Sequence, residues 1–279
     1  MEGSGCLRAT DHPFDSQPEL AMLAPSILAQ LHVLHGASLW AFALLLYIVP
    51  KDARLLPATR DLGLLAGFGA LLGATNFAYA WRISASPTGD AAALSALTML
   101  VAALMLLLEY GRRGMVGHSR GGGRGTLLLR PWFLYPALLA TGAMIAMPAE
   151  DPLRAFEAAV RGLIGLPGAV LAATVFARRA PLLMQGETRA SVPKVLAYAA
   201  ASALFLFGVG AALFAPRVPG APGWLPSAEA FYAVTGIPIQ AVRAAGAIAA
   251  AVLLAIVIRR HAENTLRAYH EAGLAVNFQ

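Results

Sequence analysis

Seven apolar runs, each near the length that crosses a lipid hydrocarbon layer, fill the sequence between residues 25 and 258. They lie at roughly 25–49, 62–82, 91–110, 129–147, 153–177, 195–215 and 233–258. Hydrocarbon offers no water to a bare peptide group, so each run is restricted to a helix that satisfies its own backbone. The expectation is an all-α polytopic membrane protein of seven transmembrane helices. A polar extracytoplasmic tail over 1–24 precedes the seven-helix domain at 25–258, and a short cytoplasmic tail over 259–279 follows it. Short segments rich in Pro, Gly and charge separate the runs, and no change of composition marks a soluble domain. The chain is 58% hydrophobic and only 13% charged, against about 25% charged in ordinary soluble domains. That balance excludes a sizeable soluble catalytic domain, and no catalytic residues are expected.

The distribution of positive charge orients the helices. Fifteen Lys and Arg, from Lys51 to Arg267, fall on one side of the threaded chain, against Arg8, Arg82, Arg154 and Arg217 on the other. Cytoplasmic loops carry the excess of Lys and Arg, so the N-terminus is expected outside and the C-terminus in the cytoplasm. The net charge of +6 therefore belongs beside anionic lipid headgroups and implies no nucleic-acid partner. One cysteine, Cys6, allows neither a disulfide framework nor a thiolate metal cage. The first twenty residues hold four acidic residues and no apolar run, so the first helix is expected to serve as its own insertion signal.

Ionisable groups inside a bilayer are costly and mark candidate sites. Here they are His32 and His35 on the first helix, Glu157 and Arg161 on the fifth, and Arg243 on the seventh. Gln30, Asn76, Tyr79, Ser95, Thr98 and Gln240 are neutral companions. Threaded in alternating directions, all of these fall in the outer half, and the inner half is almost wholly Ala, Leu, Val and Gly. One reading is a polar cavity open to the outside, lined by His32, His35, Asn76, Arg161, Gln240 and Arg243, whose guanidiniums receive a small anionic ligand. The competing reading is structural. Arg161 then pairs with Glu157 one turn earlier, and Arg243 bonds carbonyls freed at a Pro238 kink. His32 and His35 share a helix face, which suits one hydrogen-bond partner or one metal, and a single axial histidine to haem or chlorophyll stays open. No cofactor and no metal is required by the sequence. Pro167 and Pro238 are each expected to kink a helix and act as hinges. Gly67, Gly69 and Gly73 are expected to permit close helix contact.

Several familiar patterns lack their context. Gly117-His118-Ser119-Arg120-Gly121 matches a nucleophile elbow, but that chemistry needs a strand, a turn and a helix around it. The run Gly121–Thr126 lacks the Gly-Lys-Ser/Thr ending of a phosphate loop. A retinal Schiff base needs a lysine within a helix, and Lys51 and Lys194 both fall in expected loops. A pump would show a chain of buried carboxylates, and only Glu157 comes near that.

Two stretches carry a family resemblance. Gly162-Leu163-Ile164-Gly165-Leu166-Pro167-Gly168-Ala169-Val170-Leu171-Ala172-Ala173, just after Arg161, is the first. The second is Ala228-Glu229-Ala230-Phe231-Tyr232, followed by Thr235-Gly236-Ile237-Pro238-Ile239-Gln240-Ala241-Val242-Arg243. Together they resemble helices 5 and 7 of the seven-helix membrane sensor region that precedes bacterial histidine kinases and diguanylate cyclases. His35-Gly36 with Trp40 and Phe42, and Phe68-Gly69 with Gly73, echo the same region. Where that family often has a histidine and a Glu-Trp pair on helix 2, this chain has Leu72, Asn76 and Phe77. The resemblance implies a non-enzymatic sensor in a bacterial cytoplasmic membrane. With about twenty residues after helix 7, output would pass to a separate protein partner in the membrane or cytoplasm. The alternative is an accessory or scaffold subunit of a photosynthetic or respiratory membrane complex.

Overall fold

The computed structural model describes residues 25–48, 61–85, 90–116, 130–183, 192–213 and 227–277. The tail at 1–24, the two glycine-rich motifs at 117–126 and Lys51 lie outside the described residues. The helices are α1 (Pro25–Ile48), α2 (Leu62–Ala85), α3 (Asp90–Val116), α4 (Pro131–Ala146), α5 (Pro152–Val160), α6 (Leu166–Leu183), α7 (Val192–Leu213), α8 (Ala228–Thr235) and α9 (Ile239–Asn277). A π turn, Arg161–Gly165, joins α5 to α6. No strand occurs among the described residues.

Among the described residues the apolar runs are helical, apart from a break at Gly236–Pro238, as suits an all-α membrane protein. Five helical stretches among the described residues are long and apolar enough to cross a membrane: Pro25–Ile48, Leu62–Ala85, Ala91–Met115, Pro152–Arg178 and Ile239–Val257. Pro131–Ala146 and Tyr198–Ala212 are shorter apolar helices. Large apolar side chains such as Leu44, Met144, Leu206 and Val252 point outward, which suits lipid as the surrounding solvent.

Packing forms a closed ring in the order α1, α2, α3, α6, α7, α9 and back to α1, and α4 lies outside it against α5. Phe207 of α7 stands at the centre of the ring. Its ring meets Phe42 of α1 at 6.3 Å, Phe68 of α2 at 5.8 Å and the His35 imidazole at 6.4 Å. Leu39, Leu100, Leu104 and Ile164 are fully buried around it.

Glycines set how closely the ring elements approach. A Cβ on Gly73 would lie 3.0 Å from the Gly36 carbonyl oxygen, and one on Gly36 would lie 3.1 Å from that of Gly73. A Cβ added to Gly69 would lie 3.1 Å from the Leu39 carbonyl oxygen, and one added to Gly67 would lie 2.8 Å from Leu106 of α3. All three α2 glycines thus serve helix contact, as small residues do in membranes. On the next crossing, Gly111 and Gly114 of α3 lie against Leu171 and Val175 of α6, and Gly168 of α6 lies against the Leu108 backbone.

Three expectations about helix limits are corrected. The third helix does not stop at 110 but runs to Val116, because Glu109 neutralises Arg112 and Arg113 one turn later on the same face. The fifth run does not simply kink at Pro167. The Leu166 N–H reaches back five residues to the Arg161 carbonyl, so a widened turn precedes the proline, which has no N–H to give. The seventh run is not one kinked helix over 233–258. Ser227 caps α8 by accepting the Ala230 N–H at 3.1 Å, and Gly236 ends that helix in the left-handed region at φ 67°, donating to the Tyr232 carbonyl at 2.8 Å. Pro238 then precedes α9, where its missing N–H leaves no intrahelical bond unmade. Hence the chain breaks here instead of bending, and α9 continues through most of the expected tail. Gly236→Ala is expected to lower stability by about 1 kcal/mol through its positive φ, read as a lower midpoint in thermal unfolding in detergent. An unchanged midpoint would show that the break relaxes freely.

Candidate functional site

Antiparallel threading brings the N-terminal halves of α1 and α9, the α5–π junction and the C-terminal ends of α2 and α7 to one end of the bundle. Most of the polar residues singled out in the sequence meet there. The Asn76 side-chain oxygen contacts Nδ1 of His32 at 3.1 Å and Nδ1 of His35 at 3.0 Å, so both histidines converge on one amide. Asn76 Nδ2 donates to the Leu72 carbonyl at 2.8 Å. The His32 ring also lies 5.7 Å from the Tyr79 ring, one turn further along α2.

Both arginines bond the last turn of α7. The NH1 group of Arg161 donates to the Ala211 carbonyl at 2.6 Å, and Arg243 Nε donates to the Gly210 carbonyl at 2.9 Å. Carbonyls near a helix C-terminus carry the negative end of the helix dipole, so two guanidiniums suit that position. Arg161 also donates through Nε at 3.0 Å and NH2 at 2.8 Å to one oxygen of Glu157. The arginine side chain is 6% exposed and the glutamate 13%, so this is a buried pair, as one reading of the sequence required. Arg243 adds to that reading a carbonyl partner on α7, Gly210.

The two halves of the cluster act on each other electrostatically. His32 and His35 lie in the field of Arg161 and Arg243, and the Tyr79 hydroxyl faces the Arg161–Glu157 pair. Gln240 is buried three residues before Arg243 on the same face of α9. No hydrogen bond joins Gln240 to His32 or His35. Gln30, Ser95 and Thr98 do not join the cluster. All three are exposed, and the two hydroxyls bond carbonyls of their own helix. Among the described residues no group of three or more His, Cys, Asp or Glu side chains could hold a metal ion.

Sequence reasoning missed a second polar cluster at the other end. Glu109 of α3 accepts Arg112 Nε and NH2, each at 2.7 Å, Arg113 Nε at 2.6 Å and the Tyr135 hydroxyl of α4. The signal was present as an acid followed by bases three and four residues on, at the edge of an apolar run. Its partner Tyr135 could not be read from spacing. The α7 carbonyls were equally invisible, since they are backbone atoms. Comparison with known proteins finds no matching family model, no matching curated protein and no matching solved structure.

Proposed function

We propose that the chain is a non-enzymatic, receptor-like membrane subunit that binds a small polar ligand, anionic in character, at the buried cluster. Seven spans with the N-terminus outside, in a bacterial cytoplasmic membrane, complete this reading, supported by the asymmetry of basic residues. His32, His35, Asn76, Arg161, Gln240 and Arg243 form the site, and the π turn before Pro167 and the break at Pro238 are the places where it gives way. The observation that carries the proposal is the bond from Arg243 to the Gly210 carbonyl. It ties α9, the helix that continues to Asn277, to the end of α7 inside the polar cluster. A ligand that competes for the guanidiniums shifts α9 against α7, and the far end of α9 passes the shift to a separate protein.

A second reading has its own support. Helix α4 packs mainly on α5 and turns Trp132, Phe133, Met144 and Met147 outward, a face suited to a neighbouring subunit as well as to lipid. An accessory subunit of a photosynthetic or respiratory complex would use it. The two separate in a mild-detergent capture of the tagged full chain from its native membrane, alongside a chain lacking residues 261–279. Signalling output predicts a colourless eluate with a kinase, cyclase or response regulator that is lost on truncation. A coloured stoichiometric complex that survives truncation would replace the receptor reading with the scaffold reading.

A further inference from the structure

The bonds of Asn76 decide which histidine atoms remain. Its Nδ2 donates to the Leu72 carbonyl, which can only accept, so the amide orientation is set. The Oδ1 atom then faces α1, and it too can only accept. Nδ1 of both His32 and His35 must therefore carry the donated proton. A neutral imidazole that donates from Nδ1 keeps a lone pair on Nε2. His35 is 2% exposed, and its Nε2 has no protein partner among the described residues. The same holds for Oε1 of Gln240, 8% exposed. Two buried acceptors of the cluster, His35 Nε2 and Gln240 Oε1, are thus unmatched, and each unmatched buried polar atom calls for an explanation.

Donors stand about one turn away along α7, since His35 packs against Phe207 and Arg161 bonds the carbonyl of Ala211, four residues on. Arg161 spends one bond from each of Nε, NH1 and NH2, and its planar fork carries further N–H groups. A bare anion would satisfy the guanidinium but set its charge against the His35 lone pair. A cation would suit the lone pair but meet two guanidiniums. A molecule with a charged oxygen and a hydroxyl satisfies both sides.

We propose that the ligand of this site is a small singly protonated oxyanion, hydrogen carbonate or dihydrogen phosphate in kind. It donates its O–H to His35 Nε2 and turns its charged oxygens to Arg161. This rests on the receptor reading and names its ligand class.

Nitrate tests the role of the hydroxyl, since it matches hydrogen carbonate in planar shape and charge but has no O–H. The full chain in lipid nanodiscs, with 15N-labelled histidine, is titrated with each of hydrogen carbonate, dihydrogen phosphate and nitrate. The His35 Nε2 resonance should begin as an unprotonated ring nitrogen and shift saturably with at least one protonated oxyanion. Nitrate should bind tenfold or more weakly, the ratio expected when a buried acceptor is left unpaired. The two oxyanions differ in size, so their ranking identifies the source. His35→Phe should erase the preference over nitrate. Equal binding of nitrate would overturn the hydroxyl requirement while leaving an anion receptor standing. A resonance moved by none of the three, but exchanging with bulk water, would overturn the ligand class and assign the acceptors to internal water. Failure of the receptor reading appears separately, in the capture experiment, and leaves these titrations interpretable.

Discussion

Arg161→Leu is expected to destabilise the bundle by about 3–5 kcal/mol, the cost of leaving one member of a buried ion pair alone. The substitution strands the Glu157 carboxylate, 13% exposed, and removes the donor from the Ala211 carbonyl at the end of α7. Because most of the loss comes from the stranded charge, Arg161→Leu combined with Glu157→Leu should recover a large part of it. Thermal unfolding of the four members of this cycle in detergent, followed by circular dichroism, measures the coupling. A single Arg161→Leu variant as stable as the parent would show that the pair contributes nothing to the fold. Arg161 would then be held for its ligand alone.

Gly111→Ala comes next in expected effect. An added Cβ would lie 2.5 Å from Leu171 Cβ and 3.1 Å from the Ala172 backbone nitrogen, so α3 and α6 must separate. Overpacking of this kind costs about 1–3 kcal/mol. Here the obstacle includes backbone, which cannot rotate away. Gly162→Ala is the matched control, because nothing lies within 4 Å of its added Cβ. It should leave the midpoint unchanged or raise it slightly. Equal effects at the two positions would mean that the α3–α6 crossing yields easily.

The helices were legible because lipid leaves an apolar run one backbone solution, and local chemistry governed the errors at their ends. Arg112 and Arg113 resemble loop residues by charge, but Glu109 lets them extend α3. Gly236 and Pro238 stand within a long apolar run, so a kink was the natural reading. The left-handed Gly236 instead terminates the helix. At the site, His32, His35, Asn76 and Arg161 could be named from their rarity in a membrane. The Arg161–Glu157 pair could be read from its spacing, but the convergence of both histidines on Asn76 could not, because it depends on which helices become neighbours in the ring. The partners of both arginines include carbonyls of Gly210 and Ala211, and no side-chain pattern advertises a backbone oxygen. Gln30, Ser95 and Thr98 were candidates by polarity alone, and helix rotation placed them outside.

From Arg243 to Asn277, α9 contains no proline and no break. At about 1.5 Å of rise per residue that length is roughly 50 Å of continuous rod, well beyond a hydrocarbon layer of about 30 Å. Geometry alone then gives it mechanical advantage. A pivot of about 5° at the Arg243 end sweeps the opposite end through roughly 4 Å. The displacement at the pivot itself stays below the breadth of one hydrogen bond. Very little motion at the arginine is therefore needed to displace the far end of the helix by several ångström.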